Sequence, residues 1–185
     1  MTGKTSDIDV SLTNFWRSWQ DFRRGKRRSQ SIETFEYYLE ENLRQLQQDV
    51  TSSNYKHGGY QKFIVHDNKR REIAVADVRD RVVHRLLYNY LVPLFDKTFI
   101  YDAWSCRKGK GHHAAIARVQ SLVSRYYNCW YWRTDITKFF DSINQTVMKE
   151  LLWRKVKDPV ARALMDEVIN SYNVLASQPA SLRSL

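Results

Sequence analysis

Hydrophobic and polar positions recur with two different periods along this chain, and the changes of period mark its elements. Phe15, Trp16, Trp19 and Phe22 fall at helical spacing and predict a short helix from Phe15 to Arg24, capped by Asn14. From Ser31 and Thr34 a longer helix is predicted to about Val50, with Phe35, Tyr38, Leu39, Asn42, Leu43, Leu46 and Val50 as its stripe. Gly58-Gly59 breaks that pattern. Period-two runs from Tyr60 to Val65 and from Glu72 to Ala76 then predict a hairpin across the basic tip Asp67-Asn-Lys-Arg-Arg71. Asp77 to Phe95 is the most regular helix, lined by Val78, Val82, Val83, Leu86, Leu87, Tyr90, Leu91, Leu94 and Phe95. Arg79, Arg81, His84 and Arg85 lie mainly off that stripe, and Pro93 is expected to kink or end the helix.

A further helix is predicted from just past Gly111 to about Tyr126. Alternation returns from Tyr131 to Ile136 as a strand, with Trp132, Thr134 and Ile136 on one face, followed by a turn over Thr137 to Asp141. Asn144 is placed to cap a helix through Val156. Asp158-Pro159, a cap followed by proline, starts a last helix with Val160, Leu164, Val168, Ile169 and Tyr172 inward. Met1 to Leu12 and Ala176 to Leu185 carry no such pattern and are expected to be loose ends.

Composition narrows the classes. The chain has 185 residues and is 43% hydrophobic, enough for a core and against global disorder. Its 30 Lys and Arg against 20 Asp and Glu give a formal charge of +10, which favours polyanionic partners, nucleic acid first. An anionic membrane is the competing partner, but the sequence has neither a long apolar run nor a signal peptide. Cys106 and Cys129 are too few for a disulfide framework, so a reducing cytoplasm is expected.

Several local features carry candidate chemistry. Gly3-Lys-Thr5 imitates the end of a phosphate-binding loop but lacks its first glycine and the strand before it. Cys106, His112 and His113 offer only three zinc candidates, and adjacent histidines fit tetrahedral ligation poorly. His84 has no partner at metal-ligand spacing and reads as a surface or hydrogen-bonded histidine. The Gly25-Lys-Arg-Arg28 cluster is either a solvated turn or a phosphate contact. Arg107, Lys108 and Lys110 sit in a turn with Gly109 and Gly111 that feeds a helix N-terminus, a surface suited to phosphate, and are candidates for nucleic-acid backbone contact. Asp135 closes the alternating run just before a turn. It is either a solvated strand-end residue or a metal ligand.

Asp135-Ile-Thr-Lys-Phe-Phe-Asp-Ser-Ile143 closely resembles the first catalytic carboxylate motif of reverse transcriptases, above all the bacterial branch of group II intron, retron and diversity-generating-element enzymes. Lys69-Arg-Arg-Glu-Ile73 followed by Asp80-Arg-Val-Val-His84 resembles the fingers signature of the same enzymes. Phe99-Ile-Tyr-Asp-Ala-Trp-Ser-Cys-Arg-Lys-Gly-Lys-Gly-His-His-Ala115 is similar to the segment of diversity-generating-element enzymes, the nearest of the three types. The three motifs stand in family order.

The resemblance implies an α+β fold: right-hand polymerase fingers, mostly helical with a basic β-hairpin, joined to the first strand and helices of the palm. On that reading residues 1–30 are a basic extension with a short helix, 31–128 the fingers, 129–175 a partial palm and 176–185 a tail. It implies RNA-directed DNA synthesis from an RNA template, a DNA primer and dNTPs, with an accessory protein of the parent element as a further partner and no membrane. Asp135 would be catalytic and, with the backbone carbonyl of Ile136, would bind catalytic magnesium. Phe140 would exclude a 2′-hydroxyl, and Arg71 with Lys69 would clamp the triphosphate.

A polymerase palm also uses a Tyr-X-Asp-Asp hairpin to complete its two-metal site, and no two aspartates are adjacent in this sequence. The chain is therefore expected to be a truncated form, inactive alone. The alternatives are a non-catalytic nucleic-acid-binding module or a remnant derived from such an enzyme.

Overall fold

The computed structural model describes residues 7–66, 70–137 and 139–177. Eight α-helices and one two-stranded antiparallel sheet are seen among them. They divide into two compact units: one joins the chain up to Val92 with the chain from Gln145 onward, and the other is Pro93–Asn144.

The first unit is built on an apolar core to which distant segments contribute. Helix α1 (Leu12–Arg23) buries Phe15, Trp19 and Phe22, three of the four stripe residues, while Trp16 stays outside. Its cap is Ser11, whose hydroxyl accepts from the Asn14 amide at 3.3 Å. Asn14 was expected to cap, but its side chain instead donates to the Asp9 carbonyl at 2.7 Å from inside the first turn. Ser11 can cap because its backbone is extended, as a cap requires.

The single helix expected from Ser31 to Val50 is two. Helix α2 (Gln30–Tyr37) and helix α3 (Leu39–Thr51) meet at Tyr38, whose φ and ψ of −108° and 33° leave the helical region. The break is stabilised from the far side: Asn42 donates its side-chain N–H to the Phe35 carbonyl, one that the end of α2 leaves open. Tyr38, read as part of the stripe, is consequently exposed, while Leu43, Leu46 and Val50 of α3 are buried.

Strands β1 (Tyr60–His66) and β2 (Arg70–Ala76) pair as the expected hairpin, with Tyr60 opposite Ala76 and Val65 opposite Arg71. The hairpin leads into α4 (Val78–Phe95), which buries Val78, Val82, Val83, Leu86 and Leu87 and continues through Pro93 for two residues. A 3₁₀ turn at Asp96–Thr98 follows. Helix α8 (Pro159–Ser177) closes the unit after α7 (Gln145–Trp153). Asp158 caps α8 as anticipated, accepting from the Ala161 amide at 2.6 Å, and its second oxygen accepts from the Ile8 amide at 3.3 Å. Ile8 is thereby buried, within a stretch that the sequence pattern had left loose. Residues 178–185 and Gly3-Lys-Thr5 lie outside the described residues.

The second unit holds α5 (His112–Arg125) and the short α6 (Phe139–Ser142). The strand expected from Tyr131 to Ile136 does not form, and these residues carry no regular structure. Alternation fixes which face each side chain would take, but a strand also needs a neighbour for its backbone groups. Among the described residues β1 pairs with β2 alone and the 131–136 segment pairs with neither.

Candidate nucleic-acid interface

The hairpin carries its side chains on two distinct faces. Directly paired residues share a face, so Phe63 and Ile73, Val65 and Arg71, and Gln61 and Val75 lie together. Phe63 is half exposed and Val65 nearly so, which leaves an apolar surface with the Arg71 cation near its outer end. The opposite face carries Lys62 and Glu72, 3.9 Å apart, with Arg70 beyond. Arg71 thus stands where the sequence put it, exposed near the tip of a basic ribbon. Lys69 lies outside the described residues.

Under the hairpin is a polar knot that the sequence reading missed. Asp80, only 1% exposed, takes a hydrogen bond from the Tyr55 hydroxyl at 2.8 Å and from the Gly58 amide at 2.9 Å. Gly58 is needed there, because a Cβ at that position would stand 2.9 Å from an Asp80 carboxylate oxygen. Burial, and then the neighbouring Asp80 charge, push the Tyr55 phenol far above its ordinary pKa, so it stays a donor. Beside Asp80 the two imidazoles of His57 and His84 meet, Nε2 to Nε2, at 3.1 Å. His57 Nδ1 is 2.7 Å from the Gly58 carbonyl, which can only accept. Nδ1 therefore carries a proton, and one of the two facing Nε2 atoms donates to the other. Burial, reinforced by His57, lowers the His84 pKa to about 4.

The knot reaches α8 as well. The His57 amide donates to Glu167 at 3.1 Å, Lys56 pairs with the same carboxylate at 3.3 Å, and Tyr60 and Ser171 share a hydrogen bond at 2.7 Å. The base of the hairpin is thus fixed to two helices by buried or half-buried polar contacts. His84 is hydrogen-bonded, as its lack of metal-spaced partners suggested. The signal available for Asp80 was its spacing: it lies three residues before Val83 and seven before Leu87, an acid on the buried stripe of α4.

In the second unit, Arg107 and Lys110 come together in the loop before α5. Arg107 bonds Asp96 through Nε at 2.7 Å and donates from its other nitrogens to the Ile100, Ala103 and Asp96 carbonyls. These bonds hold the Asp96 carboxyl below its ordinary pKa. Lys110 donates to the Tyr101 carbonyl and lies 4.4 Å and 4.5 Å from the ring centres of Tyr101 and Trp104. Arg118 is bidentate to Asp102 and lies 5.4 Å from the Tyr101 ring. Gly109, at φ +74°, makes the turn possible. Lys108 is exposed. The loop is therefore folded by its own cations, and Arg107 in particular spends its donors on protein.

Asp135, Ile136 and Phe140 lie in the same unit, all exposed. The Asp135 carboxylate accepts from the Ile136 amide at 3.0 Å. Phe140, 79% exposed, meets Phe139 edge-on at 5.4 Å between ring centres. Among the described residues no three His, Cys, Asp or Glu side chains converge, and one carboxylate does not hold two magnesium ions. Nor, among them, is any helix long and apolar enough to cross a membrane.

Comparison with known proteins gives two informative similarities. The chain is 28% identical over 88 residues to nuclear intron maturase 1, mitochondrial, of Arabidopsis thaliana, a match covering 48% of this chain and 12% of that protein. It is 26% identical over 103 residues to an uncharacterized 91 kDa protein in the cob intron of Schizosaccharomyces pombe, covering 55% of this chain and 12% of the other. The matches thus span 12% of the length of either relative. No protein-family model matches the chain. The similarities support a reverse-transcriptase-like relationship over about half of the chain, without singling out the diversity-generating type.

Proposed function

We propose that this chain is the fingers portion of a reverse-transcriptase-like protein, and that its own action is to bind RNA. The similarity to an intron maturase over about half its length is the observation that carries this reading. A net charge of +10 and a basic hairpin anchored at its base agree with it. A ribbon anchored at its base holds Arg70 and Arg71, both exposed, in a fixed direction toward a phosphate. RNA affinity should fall steeply with salt and need no divalent ion.

RNA-directed DNA synthesis is the second reading, favoured by the spacing from Asp135 to Phe140 and by Arg71. In it the template is RNA, the substrates are a DNA primer and dNTPs, and further carboxylates complete the metal site. The two readings separate in one experiment on the purified chain. Labelled RNA is titrated at several salt concentrations with and without magnesium, alongside primer extension on an RNA template. Salt-sensitive, magnesium-independent binding unchanged by Asp135→Ala, with no extension, is the expected result. Extension abolished by Asp135→Ala would establish the second reading for this chain, and absence of RNA binding would overturn the first.

A further inference from the structure

A second positive feature of the first unit is gathered around Phe22. Helix α1 ends at Arg23, and Gly25, with φ +72°, turns the chain so that Lys26 folds back over Phe22. The Lys26 ammonium lies 4.9 Å from the centre of that buried ring. The guanidinium of Arg81, from α4, lies 5.1 Å from the same centre. One ring thus draws together cations from two segments that are far apart in sequence. Arg85 is one helical turn along α4 from Arg81, 5.0 Å from the ring centre of the half-exposed Tyr88. Arg27 and Arg28 follow Lys26, both exposed, and among the described residues no ion pair engages either.

The acids nearby are already committed. Asp21 lies 3.6 Å from Arg24 and accepts from Asn89, and Glu36 lies 3.5 Å from Arg23. Asp77 acts on Arg81 through space. The Nε–H of Arg81 is nevertheless buried with no acceptor among the described residues. Like charges gathered on one ring are costly without an anion. A guanidinium fork, a neighbouring ammonium and two free arginines suit a series of phosphates better than a single carboxylate.

We propose that the turn after α1 and the outward arginines of α4 form one ridge, Lys26, Arg27, Arg28, Arg81 and Arg85, that binds the phosphate backbone of RNA apart from the hairpin. The choice of RNA rests on the RNA-binding reading above; the ridge itself rests on the geometry around Phe22. Tyr88, beside Arg85, adds an exposed ring on which a base can stack, which a lipid headgroup would not use.

The test titrates the whole chain against a fluorescein-labelled RNA stem with a single-stranded tail, by anisotropy, at several potassium chloride concentrations. Arg27→Glu with Arg28→Glu changes only solvent-exposed side chains. It is expected to lower affinity by about tenfold or more and to flatten the log–log salt slope by roughly two, one unit for each lost phosphate contact. Arg85→Ala, on the other segment, is expected to lower affinity and flatten the slope by roughly one. Either variant leaving both quantities unchanged, while the unaltered chain binds, would overturn the ridge and leave the RNA reading standing. An unaltered chain that binds no RNA would overturn both. Binding to phosphatidylglycerol vesicles that the double variant abolishes, with RNA binding intact, would assign the ridge to a membrane surface and also overturn the proposal.

Discussion

Acid should loosen the first unit at a defined place, the His57–His84 contact. His84 is held neutral chiefly by burial, with His57 and Arg81 opposing its charge and Asp80 favouring it, and its pKa falls from 6.5 to about 4. Because the folded pKa lies below the unfolded one, the unfolded chain binds more protons in the interval between them. The neutral form therefore contributes stability that is fully present above about pH 6.5 and is lost as pH falls toward 4. A difference of some 2.5 pH units is worth about 3 kcal/mol, a large share of the ~5–15 kcal/mol that holds a typical domain folded. Urea unfolding of the chain and of His84→Gln, from pH 8 to 4, isolates this contribution. The stability difference between the two proteins should stay level down to about pH 6.5. It should then change by about 1.4 kcal/mol per pH unit, in the direction that narrows any advantage of histidine. Identical pH profiles would show that His84 is not protonated on unfolding in this range, and the account of the buried pair would be wrong.

The remaining predictions concern the same knot and the loop before α5. Asp80→Ala removes the acceptor of the Tyr55 hydroxyl and the Gly58 amide, and the two stranded donors should cost about 2–5 kcal/mol in urea unfolding; a loss under ~1 kcal/mol would mean that water replaces the carboxylate. Gly58→Ala places a methyl 2.9 Å from Asp80 and should lower the unfolding free energy by about 1–3 kcal/mol, whereas Gly59→Ala, with open space at its Cβ, should cost much less. Arg107→Lys keeps the charge but cannot reach Asp96 and three carbonyls together. Amide exchange across residues 96–110 should therefore speed up severalfold, while exchange in α3 stays as it was.

The helices were legible wherever one apolar stripe met one core. Helix α4 follows its stripe, and Asp158-Pro159 caps as local chemistry requires, because these signals act over a few residues; α8 buries Leu164 as expected but with Ala161 and Met165, while Tyr172, read as inward, is exposed. The break at Tyr38 was hidden: Phe35, Tyr38 and Asn42 keep helical spacing across it, and only the bond from Asn42 to the Phe35 carbonyl reveals a new start. The hairpin was readable, and so was the place of Arg71 near its outer end. Its anchorage was not, since His57, Asp80 and Glu167 are brought together by tertiary packing that no short window contains. At the second unit the period-two run from Tyr131 was real as a pattern, yet a strand depends on a partner elsewhere. Arg107 shows what composition leaves out, since a basic, glycine-bearing turn does not reveal that its arginine also holds the turn through Asp96 and three carbonyls.

The first unit also sets a timetable. Its hairpin is anchored to Glu167 and Ser171, respectively 110 and 111 residues later in the chain, and Ile8 waits for Asp158, 150 residues on. On a ribosome adding ~5–20 residues per second, roughly 5 to 20 s pass between the emergence of His57 and that of its partner on α8. For that interval the contacts of Asp80 with Tyr55 and Gly58 are the ones available to steady the hairpin, because their partners are made earlier. The whole of Pro93–Asn144 is synthesised while the first unit is still incomplete. The nascent chain thus spends seconds with the apolar faces of α3 and α4 waiting for α8, so the order of synthesis leaves part of this core to be closed last.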